Sequence, residues 1–250
     1  MDPLSESRRL PAGHGWLWIK RGWEIFRASP VIWVVLILAY LLLMALITRL
    51  PLVGPFLMIL LSPLFSAGYL VGCRAIDRGE ELEISHLFAG FQRNAPQLVT
   101  LGGIHLVAMM VIVALMLSIG GDQMLIVPPG EQPTPEQMEQ LRAAMPRAMS
   151  ALMVGLLLSI PLLMLIWFVP ALIIFDKLST LDALKASFIA SWRNLGAFAV
   201  LGLIMTVLTI VAAIPFGLGF IILIPLFIAA SYASYMEVFA RQAKPPAPRA

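Results

Sequence analysis

Charge is scarce in this sequence, and the places where it is missing indicate the class of protein. Asp, Glu, Lys and Arg make up 12% of the 250 residues, whereas hydrophobic residues make up 60%. No charged residue lies deep inside any of six long apolar runs. A bilayer core about 30 Å thick needs roughly 20 apolar helical residues, so we predict an all-α polytopic membrane helix bundle. The six predicted spans are 31–48, 52–73, 98–119, 149–175, 196–214 and 217–238.

Groups that carry chemistry are also scarce. The single cysteine, Cys73, excludes an internal disulfide. His14, His86 and His105 stand apart without the spacing of metal ligands, so we expect no metal and no cofactor. Fingerprints such as G-x-S-x-G, H-E-x-x-H and the P-loop are missing as well. We therefore expect a protein that is not an enzyme and that acts by binding.

His105 is the one ionisable side chain well inside a predicted span. An ionisable group at membrane depth is a functional candidate. A neutral imidazole can equally be satisfied there by one hydrogen bond to a neighbouring helix. A proton relay would need a second titrating group at similar depth, and the sequence shows none.

The basic residues are distributed unevenly between the predicted loops. Arg49, Arg142 and Arg147 fall on one side of the membrane, and all the other Lys and Arg residues fall on the opposite side. By the positive-inside rule, both termini are cytoplasmic. The net charge of +3 therefore reflects topology, and we expect no nucleic-acid partner. We interpret residues 1–13 as a flexible N-terminus, 14–240 as one membrane domain and 241–250 as a disordered basic tail. No removable signal peptide is expected.

Three segments on the predicted cytoplasmic side each precede a pair of spans: 22–30, 86–96 and 187–196. Their apolar residues recur at helical spacing, which predicts three amphipathic helices in the membrane interface. The similarity of PLFSAGY at 63–69 to PLFIAASY at 225–232 suggests a threefold repeat of parallel hairpins, or a chance likeness between apolar sequences. The rings expected to anchor these helices are Trp16, Trp18, Trp23, Phe26, Phe88, Phe91, Phe188 and Trp192.

Each of these segments ends in a residue suited to an N-cap, namely Ser29, Asn94 and Asn194. Beside the caps lie Arg27, Arg93 and Arg193, which would be level with the lipid phosphates of the inner leaflet. Two interpretations stay open for these arginines. They are either a topology signal or contacts to the head groups of membrane lipids, anionic lipids in particular.

Small residues recur on the second and sixth spans: Gly68, Gly72, Ala230 and Ser234. Such residues let helices approach closely. The neighbour is either a helix of the same chain, a second copy of the chain or another membrane protein.

The connections carry local helix signals. The segment 120–147 is predicted as an external loop, in which Thr134, Pro135 and Gln137 resemble a capped helix start. Ser179 and Asp182 fit a capping box. The charged stretch 77–83 is interpreted as a solvated turn and helix start.

Three blocks carry a family resemblance: GHGWLWIKRGWEIFRASPVIW, PLFSAGYLVGCRAIDRGEELEISHLFAGF and FDKLSTLDALKASFIASWRNLGAF. They resemble an uncharacterised family of bacterial six-span inner-membrane proteins. The pattern of amphipathic segment, Asn and apolar hairpin is more distantly similar to the membrane domain of glycerophosphodiester phosphodiesterases. The resemblance implies a multi-pass protein of the bacterial inner membrane and transfers no site residues.

Three functions remain open at this point. A lipid-interacting or envelope-organising role fits the arginines and the rings. A transporter or permease-like protein for an apolar or amphiphilic solute would use a cavity lined by Ser62, Ser66, His105, Ser159 and Thr206. A subunit of a membrane assembly would use the small-residue faces.

Overall fold

The computed structural model describes residues 7–120 and 134–239. These residues form helices and no strand. Ten α-helices follow one another, with one 3₁₀ helix, η1, between α3 and α4: α1 His14–Ala28, α2 Pro30–Ile47, α3 Gly54–Asp77, η1 Ile84–Phe88, α4 Ala89–Gln92, α5 Ala95–Ile119, α6 Pro135–Ile166, α7 Val169–Asp176, α8 Thr180–Arg193, α9 Leu195–Ala213 and α10 Phe220–Val238.

Six helical stretches are long and apolar enough to cross a membrane, which confirms the predicted number of spans. The fourth span differs in detail from its prediction, because it is interrupted between α6 and α7. Pro170 lies at the start of α7, where its missing N–H leaves no helical bond unmade. The N–H of Phe168 at the break donates to Ser187 Oγ at 3.1 Å, so the interruption is satisfied by α8.

The capped helix start at Thr134 is confirmed. The N–H of Gln137 donates to Thr134 Oγ1 at 3.2 Å, and the N–H of Thr134 donates to Gln137 Oε1 at 2.8 Å. This reciprocal pair starts α6, which continues without a break into the fourth span. The segment predicted to be external is therefore helical from Pro135 on, and its residues 121–133 lie outside the described part of the chain.

The chain forms two compact units. The larger takes the chain up to Gly103 and from Leu165 on, and the smaller is Ile104–Met164. In the smaller unit the end of α5 packs on α6, and a Cβ on Gly155 would lie 2.4 Å from the sulfur of Met116. In the larger unit α3 and α10 are the most deeply buried spans, each about half buried.

Helix α1 packs on α9 and α10 by direct backbone approach. A Cβ on Gly15 would lie 2.2 Å from the carbonyl oxygen of Ala197, and one on Gly22 would lie 2.8 Å from the backbone nitrogen of Ala230. The face of α1 that carries these glycines is buried, with Trp18 1% exposed and Phe26 5% exposed. The prediction that Trp18 and Phe26 anchor the chain in the interface is therefore wrong, because both rings fill the protein core.

The second predicted amphipathic helix is instead two short pieces, η1 and α4. They lie on α3 at two glycines: a Cβ on Gly68 would lie 2.4 Å from the carbonyl oxygen of Leu87, and one on Gly90 would lie 2.1 Å from that of Leu64. The backbones of η1 and α4 therefore lie directly against α3, where the sequence predicts one regular amphipathic helix. The location of α1 and α8 in the membrane interface stays a prediction. The threefold repeat of hairpins stays a prediction as well.

The predicted capping residues hold their positions but use their side chains differently. Ser29 and Asn194 precede α2 and α9, and neither side chain caps the helix that follows. Asn94 donates from Nδ2 to the carbonyl oxygen of Ile173 at 2.9 Å. At Ser179 the side-chain cap is confirmed, since the N–H of Asp182 donates to Ser179 Oγ at 3.2 Å; the Ser179 hydroxyl in turn donates to Asp182 Oδ2 at 2.6 Å.

Candidate functional site at the connector end

One end of the larger unit collects the segments that connect the spans. We call it the connector end: it comprises α1, η1, α4 and α8 with the adjoining ends of α3, α7 and α10. Polar and aromatic side chains concentrate there, and it is the candidate functional site.

Helix α1 presents two opposite faces at this end. Its buried face packs on α10, as described above. On the outward face two tryptophans alternate with two cations, and all four side chains are exposed, Trp16 by 46% and Trp23 by 45%. The spacing of three or four residues places them in one row along the helix. We call this row the aromatic–basic stripe: Trp16, Lys20, Trp23 and Arg27. Within it the Lys20 ammonium lies 5.6 Å from the centre of the Trp16 ring.

Glu237 near the end of α10 joins that helix to α1. Trp18 Nε1 donates to Glu237 Oε2 at 2.6 Å, and His14 Nδ1 lies 2.7 Å from Glu237 Oε1. A buried indole N–H needs an acceptor, and this carboxylate supplies it. Each carboxylate oxygen has a second lone pair for another donor.

Asp77 at the end of α3 forms a second junction with α1. Its side chain is 6% exposed and contacts the guanidinium of Arg21. Tyr232 of α10 donates from its hydroxyl to Asp77 Oδ2 at 3.2 Å. Hydrogen bonds to Glu24 and to Asp77 raise the pKa of Arg21 above its ordinary value, so its charge is fixed at all physiological pH values.

A cavity of about 300 Å³ opens between these two junctions. From α1 it is lined by Leu17, Trp18 and Arg21, and from α3 by Asp77. The α10 side is lined by Tyr232, Ala233, Met236 and Glu237. The cavity thus combines apolar and aromatic surface with one guanidinium and two carboxylates.

The chain before α1 is fixed against α8 and α10. Asn194 accepts at Oδ1 from the N–H of Leu10 at 2.8 Å and donates from Nδ2 to the carbonyl oxygen of Arg8 at 2.9 Å. The N–H of Arg8 donates to the carbonyl oxygen of Val238 at 2.8 Å. The prediction of a flexible N-terminus is therefore corrected for residues 7–13; residues 1–6 and the predicted tail 241–250 lie outside the described residues.

The end of α7 belongs to the same network. Tyr235 of α10 donates from its hydroxyl to Asp176 Oδ2 at 2.9 Å. The guanidinium of Arg74 lies 4.5 Å from the centre of the Phe175 ring, within the range of a cation–π contact. The spans α3, α7 and α10 therefore share aromatic and charged contacts where they end.

The predicted head-group arginines are placed unequally. Arg27 and Arg93 are exposed, Arg27 as part of the stripe and Arg93 two residues after the exposed Phe91 in the chain. Arg193 donates from Nη1 to the hydroxyl of Ser7 at 3.1 Å, so it also holds the N-terminal segment. Of the rings on α8, Trp192 is 63% exposed and Phe188 is partly exposed and lies against it.

The small residues face the chain itself. Gly68 meets η1, Gly72 meets the side chain of Leu82, and Ala230 meets Gly22 of α1. Ser234 is fully buried and accepts from Trp167 Nε1 at 3.2 Å. These four positions are filled by intramolecular packing, so a partner protein would need another surface.

The residues of the predicted transport cavity show local hydrogen bonding. Ser62, Ser159 and Thr206 each donate to a carbonyl oxygen of their own helix, those of Ile59, Gly155 and Gly202. Ser66 and His105 are partly exposed on α3 and α5. Among residues 7–120 and 134–239, no group of three or more His, Cys, Asp or Glu side chains is arranged to hold a metal ion.

Asp77 and Glu237 are the candidate-site residues that the sequence analysis does not identify. Asp77 was assigned to a solvated turn, yet it is buried and paired. A signal was present in the charge pattern: α3, α7 and α10 each end close to an acidic residue, Asp77, Asp176 and Glu237, on the side that is otherwise rich in Lys and Arg. Acidic residues at such positions indicate pairing within the chain.

Comparison with known proteins identifies a relative in Burkholderia thailandensis, described as a probable inner membrane protein. The two sequences are 31% identical over 217 residues, which cover 84% of this chain and 78% of the relative. No family model matches the chain. No solved structure matches it either. None of these comparisons supports the resemblance to the membrane domain of glycerophosphodiester phosphodiesterases.

Proposed function

We propose a phospholipid-binding role for this multi-pass inner-membrane protein, which belongs to the family of the probable inner membrane protein of Burkholderia thailandensis. The observation that carries the proposal is the aromatic–basic stripe on α1. The role is binding, and it includes no catalytic step.

The stripe has the chemistry of a surface that meets lipid head groups. Tryptophan side chains favour the boundary between hydrocarbon and water, since their rings are apolar and their N–H groups are polar. Lys and Arg near an anionic leaflet each contribute about 1 kcal/mol of attraction. In the stripe these two residue types alternate on one exposed face, while the opposite face of α1 is fixed to α10.

The distribution of charge supports an orientation. The connector end holds most of the basic residues of the chain, and Arg49 lies at the far end of α2. We propose that the connector end faces the cytoplasm with both termini, so that the stripe meets the anionic inner leaflet. Arg93, two residues after the exposed Phe91 in the chain, offers a second contact of the same kind.

The test is lipid retention by the full-length protein. The double variant Lys20→Gln with Arg27→Gln removes both charges of the stripe, and Arg49→Gln with Arg142→Gln removes two exposed charges predicted to lie on the outside. The proteins would be reconstituted in nanodiscs with phosphatidylglycerol and phosphatidylcholine, released, and analysed by native mass spectrometry. The loss of two contacts predicts roughly 30-fold weaker retention of phosphatidylglycerol in the stripe variant alone. Equal retention by the two double variants would refute the proposal.

The two alternative functions gain no support from the described residues. The hydroxyls of Ser62, Ser159 and Thr206 bond within their own helices, as they would in a packed bundle. The small-residue faces are covered by α1 and η1. Transport and a role as an assembly subunit therefore stay predictions from the sequence.

A further inference from the structure

The cavity between α1, α3 and α10 is distinct from the stripe in both place and chemistry. The stripe is an open row of two tryptophans and two cations, whereas the cavity is a recess of about 300 Å³ whose walls are apolar and carry both signs of charge. That volume is at the lower limit of small-molecule sites, roughly 300 to 1,000 Å³. It is large enough for a head group and too small for a whole phospholipid.

The charges of the lining do not balance. Arg21 contributes one positive charge, and Asp77 and Glu237 contribute two negative charges. A carboxylate in a partly dry site is stabilised when a cation compensates it. The excess of one carboxylate therefore favours a ligand whose inner group is positive, and it disfavours an anionic head group.

The hydrogen-bonding capacity of the lining favours an ammonium group. Glu237 accepts from Trp18 at one oxygen and lies against His14 at the other. Asp77 accepts from Tyr232 at one oxygen and contacts Arg21 at the other. These contacts use one lone pair on each of the four carboxylate oxygens. The remaining lone pairs can accept further N–H donors, and a primary ammonium carries three.

Arg21 supplies the complementary anion site. Its side chain is 52% exposed, and it uses Nη1 for Glu24 and Nη2 for Asp77. A guanidinium has five N–H donors, so three remain for the oxygens of a phosphate. Leu17 on the same wall is 45% exposed and offers apolar surface beside the opening.

We propose that this cavity binds the zwitterionic phosphoethanolamine group, with the ammonium at Glu237 and Asp77 and the phosphate at Arg21. The group can come from phosphatidylethanolamine or from a free phosphoethanolamine solute. The inference deepens the proposed lipid binding and rests on it, because both place a phospholipid head group at the connector end.

The experiment compares phosphatidylethanolamine with phosphatidylcholine, whose quaternary nitrogen has no N–H to donate. The full-length protein would be reconstituted in nanodiscs with equal amounts of these lipids and of phosphatidylglycerol, all with the same acyl chains. Native mass spectrometry of the released protein then counts the retained lipids. We expect phosphatidylethanolamine to be enriched over phosphatidylcholine by about tenfold, as the loss of charged hydrogen bonds would predict.

Glu237→Gln removes the charge and keeps an oxygen that can accept from Trp18, and Glu24→Gln is its matched control. Glu24 pairs with the same Arg21 but does not line the cavity. The enrichment should be lost in Glu237→Gln and kept in Glu24→Gln. A second variant, Ala233→Leu, fills the cavity without changing its charge and should also abolish the enrichment. Equal retention of the two lipids by the unmodified protein, or unchanged enrichment in Glu237→Gln, would overturn the inference.

Competition with soluble phosphoethanolamine identifies the source of the group. Displacement of the retained phosphatidylethanolamine shows that the free group suffices, and its failure to displace shows that the acyl chains contribute to binding; either result presupposes the enrichment. The two proposals can fail separately. The stripe variant changes the retention of phosphatidylglycerol, whereas Glu237→Gln changes that of phosphatidylethanolamine.

Discussion

The contact of α1 with α10 at Gly22 makes a quantitative prediction about stability. A Cβ at this position would lie 2.8 Å from the backbone nitrogen of Ala230, 3.1 Å from its Cα and 3.1 Å from the carbonyl oxygen of Leu226. These are backbone atoms of a buried helix, and they cannot turn aside as a flexible side chain can. Gly22→Ala therefore forces α1 away from α10.

Two opposing effects set the magnitude. Overpacking by one methyl group costs about 1 to 3 kcal/mol. Alanine is favoured over glycine in a helix by about 1 kcal/mol, so the net loss at Gly22 is up to about 2 kcal/mol. Gly202 in α9 is the matched control, because nothing lies within 4 Å of a Cβ there. Gly202→Ala is expected to be neutral or to stabilise by up to about 1 kcal/mol.

The chain contains its own reporter for this measurement. Cys73 is its single cysteine and is fully buried in α3. A maleimide that becomes fluorescent on reaction with a thiol will label it when the larger unit opens on heating. Since 1 kcal/mol shifts Tm by about 2 to 4 °C in a protein of this size, Gly22→Ala should lower Tm by up to about 8 °C. A Tm for Gly22→Ala that equals or exceeds that of Gly202→Ala would refute the backbone contact.

Further predictions concern the N-terminal segment, the cap of α6 and the tryptophans. Asn194→Ala removes the bonds to Arg8 and Leu10. At about 1 kcal/mol for each of the two hydrogen bonds, trypsin should cleave after Arg8 or Arg9 roughly 30-fold faster than in Asn94→Ala; equal rates would contradict the role of Asn194. Thr134→Ala should weaken the start of α6 by about 1 kcal/mol, seen as faster hydrogen exchange at residues 136–138 and unchanged exchange at the separately capped start of α8. Lipids brominated near the head group should quench fluorescence from exposed Trp23 but not from Trp18. Trp23→Phe should therefore reduce the quenched fraction of the fluorescence, and Trp18→Phe should not. A reduced fraction in Trp18→Phe alone would mean that the Trp18 face of α1 contacts lipid, which would contradict the structure.

The membrane helices could be predicted from the sequence because their cause is local. Continuous apolar runs determine which residues avoid water, whatever the rest of the chain does. The caps at Thr134 and Ser179 are equally local, since each joins residues three positions apart. The existence and approximate bounds of these elements therefore follow from short stretches of sequence.

The buried face of α1 could not be identified from aromatic content, because Trp16 and Trp18 belong to the same residue type. The two glycines distinguish them. Gly15 and Gly22 lie seven residues apart, two helical turns, and Trp18 lies on the face between them. A small residue repeated at this interval indicates the side at which another backbone approaches.

The cavity could not be predicted because it depends on contacts between distant segments. Arg21 and Asp77 are separated by 56 residues, and Trp18 and Glu237 by 219. Nothing within either segment shows that α1 lies across α3 and α10. The sequence interprets the stretch that contains Asp77 as a solvated turn, because its partners are determined only by the packing of three helices.

The division of α1 into faces leads to a last prediction that connects stability with binding. The helical period places Gly15, Trp18 and Gly22 toward α9 and α10, the stripe outward, and Leu17 and Arg21 between them at the cavity. Both proposed lipid contacts therefore depend on the seating of the inner face. Gly22→Ala, measured below its Tm, should reduce retention of phosphatidylglycerol and of phosphatidylethanolamine together. The stripe variant and Glu237→Gln should each reduce one of them, so a Gly22→Ala protein that loses neither lipid would show that the position of α1 does not control these sites.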